Sequence, residues 1–116
     1  MNISTLNKTI KTFYINEGRS PVYMRGLCSE FAVALKKFLN GGTISKAGLM
    51  HTYLTYQGYN CDIRGCFTKE TYKFMTPNEY YRPTNRSELT HINKLLDHER
   101  VAYIVRELRK ANGRLR

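Results

Sequence analysis

An α+β domain, with helices packed on a small antiparallel sheet, is the fold class that three features predict. Apolar residues recur at helical spacing towards both ends of the chain. The period switches to two between about residues 50 and 63, and Asn40-Gly41-Gly42 and Gln57-Gly58 punctuate the change. The 116 residues suit one domain, 1–116, with a basic tail from about residue 109. Hydrophobic residues at 41% and charged residues at 24% are ordinary for a globular protein, which excludes a disordered chain.

Residues 4–14, STLNKTIKTFY, place Leu6, Ile10 and Phe13 on one side of a first helix. Gly18, Pro21 and Gly26 then predict a loop through NEGRSPVYMRG. Ser29 to Leu39 forms the next helix on an apolar stripe of Phe31, Ala34, Leu35 and Phe38, with Glu30, Lys36 and Lys37 largely outside it. Cys28 falls at or just inside its first turn. Asn40-Gly41-Gly42 stops it, with glycine expected at the left-handed cap. Met50–Tyr56 and Tyr59–Ile63 read as strands joined by Gln57-Gly58, and a short strand around Ile44 precedes them. The alternation of CFTKETYKFM is mixed and assigns no element. Pro77 and Pro83 bracket a loop or single turn, NEYYR. Ser87–Leu96 and Asp97–Lys110 follow as helices, the last with Val101, Ile104, Val105 and Leu108 on one side.

Nineteen Lys and Arg against nine Asp and Glu give a net charge of +10, which favours an acidic protein or peptide, or nucleic acid, as partner. The stretch RKANGRLR reads equally as a frayed tail or a basic arm. No apolar run reaches the roughly 20 residues of a membrane span, and the N-terminus lacks the apolar stretch of a signal peptide, so a cytoplasmic location without a membrane is expected. Three cysteines make no disulfide framework. Cys28, His51, Cys61 and Cys66 can be written as a zinc set, yet the four-residue gap between Cys61 and Cys66 is a poor knuckle. Neither metal nor cofactor is therefore expected. His91 and His98 read as surface histidines, and the strand tyrosines as half-buried sheet residues rather than a base-stacking platform.

A two-residue hairpin loop pairs Tyr56 with Tyr59 and brings Tyr53 opposite Asp62. His51, Tyr53, Asp62 and Arg64 then share one face, whereas Cys61 points to the other, towards the core. His51 and Asp62 become diagonal neighbours with Cβ atoms roughly 7 to 8 Å apart, a gap that an imidazole and a carboxylate can bridge. Asn60 shares that face and is the alternative third member. At a helix start, unpaired N–H groups and the helix dipole favour a thiolate. Cys28 as nucleophile, His51 as base and Asp62 as orienting acid thus stand where nucleophilic catalysis needs them. Gly26, Leu27, Tyr53 and Arg64 are candidates for oxyanion or supporting roles, and Arg64 has Asp62 or an acidic substrate group within its options.

The segments GLCSEFAVALKKFL and AGLMHTYLTYQGYNCDIRG resemble the core of the papain-like and transglutaminase-like superfamily of cysteine enzymes. That core has a Gly-x-Cys-x-x-Phe/Tyr-Ala helix start, a strand-borne His and an Asp on the next strand. The likeness is strongest to small uncharacterised bacterial and phage proteins with Cys-x-Glu-Phe-Ala, His and Asp-x-x-Gly, and it covers about Gly26 to Gly65. The resemblance implies a cysteine hydrolase or acyl transferase acting on an amide or ester bond. Cys28, His51 and Asp62 would form the triad, Gly26 would give tight approach to the nucleophile, and Ala32 a close helix-to-sheet contact. Two departures stand out: SPVYMRGL holds no Gln for an oxyanion hole, and the aromatic after the histidine comes one place late, at Tyr53. The rival reading is a non-enzymatic basic module that binds nucleic acid or an acidic host protein, in the manner of a phage-encoded inhibitor of a host or defence component.

Overall fold

Asn2 opens the first helix, α1 (Ile3–Asn16): its side chain accepts a hydrogen bond from the Thr5 N–H at 2.8 Å and satisfies one of the donors a helix start leaves over. Leu6, Ile10 and Phe13 are buried on its inner side, as the spacing predicts. The computed structural model describes residues 1–49, 51–77 and 80–115. Within the expected loop lies a single turn, α2 (Val22–Arg25), which follows Pro21 and carries a buried Tyr23. Aromatic packing holds it, since the Tyr23 ring meets Phe13 at 5.4 Å and Phe31 at 6.0 Å.

Helix α3 (Cys28–Leu39) begins at the cysteine. Its left-handed cap is Asn40 (φ 50°, ψ 45°) and not a glycine, a position asparagine also tolerates. Glu30, expected outside the apolar stripe, is buried. Its Oε2 accepts the Asp97 N–H at 3.1 Å, so this carboxylate ties the start of the last helix to α3.

Strands β1 (Thr43–Ala47), β2 (His51–Tyr56) and β3 (Tyr59–Asp62) follow. Met50, the first residue of the strand expected over 50–56, lies outside the described residues. Gln57 and Gly58 both take positive φ (51° and 80°), the two-residue turn that matches strand twist and fixes Tyr56 opposite Tyr59. The unassigned segment folds as β4 (Gly65–Phe67) and α4 (Lys69–Met75), the helix capped by the Thr68 hydroxyl on the Thr71 N–H. Gly65 has φ 127°, and a Cβ there would collide with the Asn7 side chain where α1 crosses the sheet edge.

Where a loop or single turn is expected between Pro77 and Pro83, β5 (Tyr81–Pro83) pairs with β1, while Asn78 and Glu79 lie outside the described residues. Helix α5 (Arg86–Leu95) starts on an Asn85–Glu88 capping box. Helix α6 (His98–Gly113) starts on Asp97 and runs on past Lys110 with Ala111 fully buried, so the basic segment from about 109 is part of a packed helix as far as Gly113.

The sheet order is β4-β3-β2-β1-β5, antiparallel throughout. Helices on a small antiparallel sheet make this the α+β domain that the periods predict. Ile44, Leu54 and Cys61 on one face join Ile63 and the apolar sides of α1, α3 and α6 in the main core. The opposite face carries Ala47 and Tyr53, over which α4 lays Tyr72 as a second, smaller core with Phe67 and Tyr81. Among the described residues no helix is long and apolar enough to cross a membrane.

Candidate active site

The chain places His51 at the first residue of β2 and Asp62 at the last of β3, on the face away from the main core. The His51 Nε2 lies 3.2 Å from Asp62 Oδ2, so the expected diagonal contact is made. Both residues are buried. A carboxylate in that position needs partners, and it has many. Arg64 donates from its backbone N–H to Oδ1 at 2.8 Å and from its guanidinium to Oδ2 at 2.7 Å. Arg64 is itself anchored on the Thr76 hydroxyl and the Met75 carbonyl. Asn60, the alternative third member, instead accepts a bond from Thr55 at 3.4 Å.

Tyr72 completes this cluster. It is fully buried, its hydroxyl donates to Asp62 Oδ2 at 2.8 Å, and the same hydroxyl lies 2.7 Å from His51 Nε2. The phenol has one proton. With that proton on Asp62, the close approach of Nε2 is satisfied when Nε2 carries hydrogen and donates to the Tyr72 and Asp62 oxygens. Nε2 is thereby the protonated nitrogen of the neutral ring. Tyr72 keeps its proton because burial first, and the Asp62 charge second, push its pKa well up. Rings tile the wall beside it: Tyr53 meets Tyr72 at 4.8 Å and His51 at 6.2 Å, and the Arg64 guanidinium stands 5.5 Å from the Tyr72 centroid.

Cys28 reaches this group from the start of α3. Its thiol is partly buried, which by itself raises the pKa. Hydrogen bonds with the His51 side chain, the Thr52 backbone and the Ser29 side chain, together with the His51 charge, outweigh burial and bring the thiol below its ordinary value. Ser29 also donates to the Thr52 hydroxyl at 3.0 Å, which ties the helix start to β2. On His51, burial would lower the pKa, but the bonds to Asp62 and Cys28 raise it to about 9. On Asp62, burial would raise the pKa, and the His51 and Arg64 bonds instead hold it down at about 2. Cys28, His51, Asp62 and Arg64 therefore form one electrostatic unit.

The supporting residues fare unevenly. Leu27 is the N-cap of α3 and offers no side-chain cap bond to the first-turn N–H groups. Gly26 has φ −151°, and a Cβ there would meet nothing within 4 Å, so the tight approach expected of it is not made. Ala32 is buried in the main core. Tyr53 flanks His51, but as a ring in the second core. Among the described residues no three His, Cys, Asp or Glu side chains gather as metal ligands. His91 and His98 are exposed.

Sequence reasoning missed Tyr72 and Thr52. The available signal for Tyr72 was Thr68 as a helix cap ahead of Lys69 and Glu70, which would have assigned α4 but not the destination of its tyrosine. No family model matches the chain, and neither a curated protein nor a solved structure does so.

Proposed function

We propose that the chain is a cysteine-dependent hydrolase or acyl transferase for an amide or ester bond, in keeping with its resemblance to papain-like and transglutaminase-like enzymes. One observation carries this reading: a buried imidazole, anchored on a carboxylate, is hydrogen-bonded to a thiol whose pKa is lowered. Cys28 is the nucleophile, His51 the base and Asp62 the group that orients the ring. Since Nε2 serves Asp62 and Tyr72, Nδ1 is the nitrogen left to serve the thiol. The thiol is drawn down and the imidazole raised to about 9, and both displacements favour a thiolate–imidazolium pair over the neutral one.

The sulfur attacks the carbonyl carbon, forming a C–S bond and moving the π electrons onto oxygen. First-turn N–H groups of α3, uncapped by Leu27, receive that oxyanion in place of the missing Gln. Collapse breaks the C–N or C–O bond, and the imidazolium gives its proton to the leaving group. Water, deprotonated by His51, then hydrolyses the thioester, or an amine takes the acyl group. Tyr72 and Arg64 are positioning residues that hold Asp62 and the ring. The charge of +10 suits an acidic protein or peptide substrate, and a reduced thiol suits the cytoplasm.

Alkylation by iodoacetamide against pH, read for each cysteine by peptide mass spectrometry, tests the reading in wild type and His51→Ala. At about pH 6 Cys28 should react at least tenfold faster than an ordinary thiol, and His51→Ala should abolish that advantage. A Cys28 that reacts as an ordinary thiol, or is indifferent to His51, overturns the enzyme and leaves the basic binding module, whose affinity should fall steeply with salt.

A further inference from the structure

The outer face of the sheet holds a cavity of about 330 Å³ that the reaction does not use. Its floor is Thr43, Ser45, Tyr53, Thr55 and Asn60, its walls Lys69 and Lys73 of α4 and the β5 edge, and none of Cys28, His51 or Asp62 lines it. The floor is polar and in large part buried: Ser45, Tyr53 and Asn60 are 2%, 3% and 5% exposed, Thr55 is half-buried and Thr43 exposed. Such groups on a sheet face under a helix are costly unless each has a partner. Ser45 and Thr55 hydroxyls bond each other at 2.9 Å, and Thr55 donates to Asn60 Oδ1 at 3.4 Å. Asn60 Nδ2 has no protein partner among the described residues. Among the described residues no fully buried side-chain nitrogen or oxygen lacks a partner, so this amide is not sealed from solvent, and Asn60 lines the cavity.

The rim carries the charge. Lys69 and Lys73 stand four residues apart on one side of α4, and Lys73 lies 5.6 Å from the Tyr81 ring centroid at the far wall. Among the described residues that line the cavity, none is acidic. A buried carboxamide donor and hydroxyls below, with two ammonium groups above, describe a receptacle for an anion with a polar body.

From this arrangement we infer that the cavity is a binding site for a small polyol-like molecule bearing one anionic group. The ammonium groups of Lys69 and Lys73 take the charge, and Asn60 Nδ2 with the Ser45 and Thr55 hydroxyls takes the ligand's oxygens. The site lies apart from Cys28, so it stands or falls independently of the proposed chemistry.

Titration of the ¹⁵N-labelled full chain with inorganic phosphate, glycerol 1-phosphate and glycerate, at ionic strength held constant with NaCl, tests it. The two glycerol-derived probes separate phosphate from carboxylate as the preferred charge. Saturable amide shifts at Lys69, Lys73, Thr55 and the Asn60 side chain are expected with at least one probe. Lys69→Ala/Lys73→Ala should weaken that binding by about tenfold or more. Lys8→Ala/Lys11→Ala, which removes the same charge from α1, should leave it within about twofold. Both lysines of α4 are exposed and alanine favours helix, so the variant folds. Equal weakening in the two variants, shifts spread over the basic surface, or no saturation with any probe overturns the site.

Discussion

Cys28 and Cys61 are the same side chain, both withdrawn from water, and their thiols are displaced in opposite directions. Cys61 sits across from Leu54 in the main core, fully buried, and donates to the Cys66 sulfur at 3.0 Å. That bond holds its proton in place, and burial among apolar side chains adds to the effect, so its pKa is pushed far up. Cys28 also pays for burial, yet an imidazole and N–H and O–H donors surround the sulfur and win. Burial therefore does not by itself decide which way a thiol is displaced; the polarity of what replaces water does. The same contrast runs across the sheet, where one face is an apolar core and the other a web of charges around Asp62.

The largest expected effect comes from breaking the charged face. Asp62→Ala leaves the buried His51 and half-buried Arg64 cations beside an empty site and should cost about 3 to 5 kcal/mol in urea unfolding. It should also move Cys28 alkylation to higher pH. Leu54→Ala, on the apolar face, should cost about 2 to 5 kcal/mol by the cavity it leaves. In the folded fraction, however, the Cys28 alkylation profile should stay where it was. A shifted profile in that variant would show that the two faces are not independent.

Stability against pH sharpens the contrast further. His51 is raised from 6.5 to about 9, so its charged form stabilises the fold fully below about pH 6.5 and loses that contribution as pH rises through 9. Asp62 is lowered from 3.8 to about 2, so its contribution is complete above 3.8 and is lost as pH falls through 2. In a Cys28→Ala background, where no thiol titration offsets the proton that His51 keeps, the stability gap between His51 and His51→Asn should therefore narrow between pH 6.5 and 9, by at most about 1.4 kcal/mol per pH unit. A gap that stays constant over that range would mean His51 is not charged in the folded protein. Smallest is Tyr72→Phe, which keeps the ring and removes one hydroxyl from a carboxylate with other partners. About 1 kcal/mol is expected, with a modest shift of Cys28 alkylation to higher pH. A cost near that of Asp62→Ala would make Tyr72 the keystone instead.

Much of the candidate site was legible because hairpins obey local rules. Gln57-Gly58 sets the turn, the turn sets the register, and strand parity then puts His51, Asp62 and Arg64 on one face with Cys61 on the other. Cys28 at a helix start followed from the apolar stripe and the stop at Asn40. The short elements were not legible. Helix α2 is one turn held by three aromatic rings, β5 is three residues held by β1, and α4 has a single buried residue. None has enough length for a period to show, and each exists because a partner distant in sequence covers it.

By itself the sequence determined the fold class, the main helices, the hairpin and the sharing of faces, since these follow from spacing within one segment. Only the tertiary structure decided that Tyr72 from α4 closes on His51 and Asp62, that Glu30 is buried against the start of α6, and that Arg64 is spent on Asp62. It also decided that the Cys28 thiol is drawn down and the Cys61 thiol pushed up. The reason is physical: periodicity is a property of neighbours along the chain, whereas a pKa sums desolvation, charges and hydrogen bonds from whatever lies within a few ångströms, and those groups come here from four separate elements.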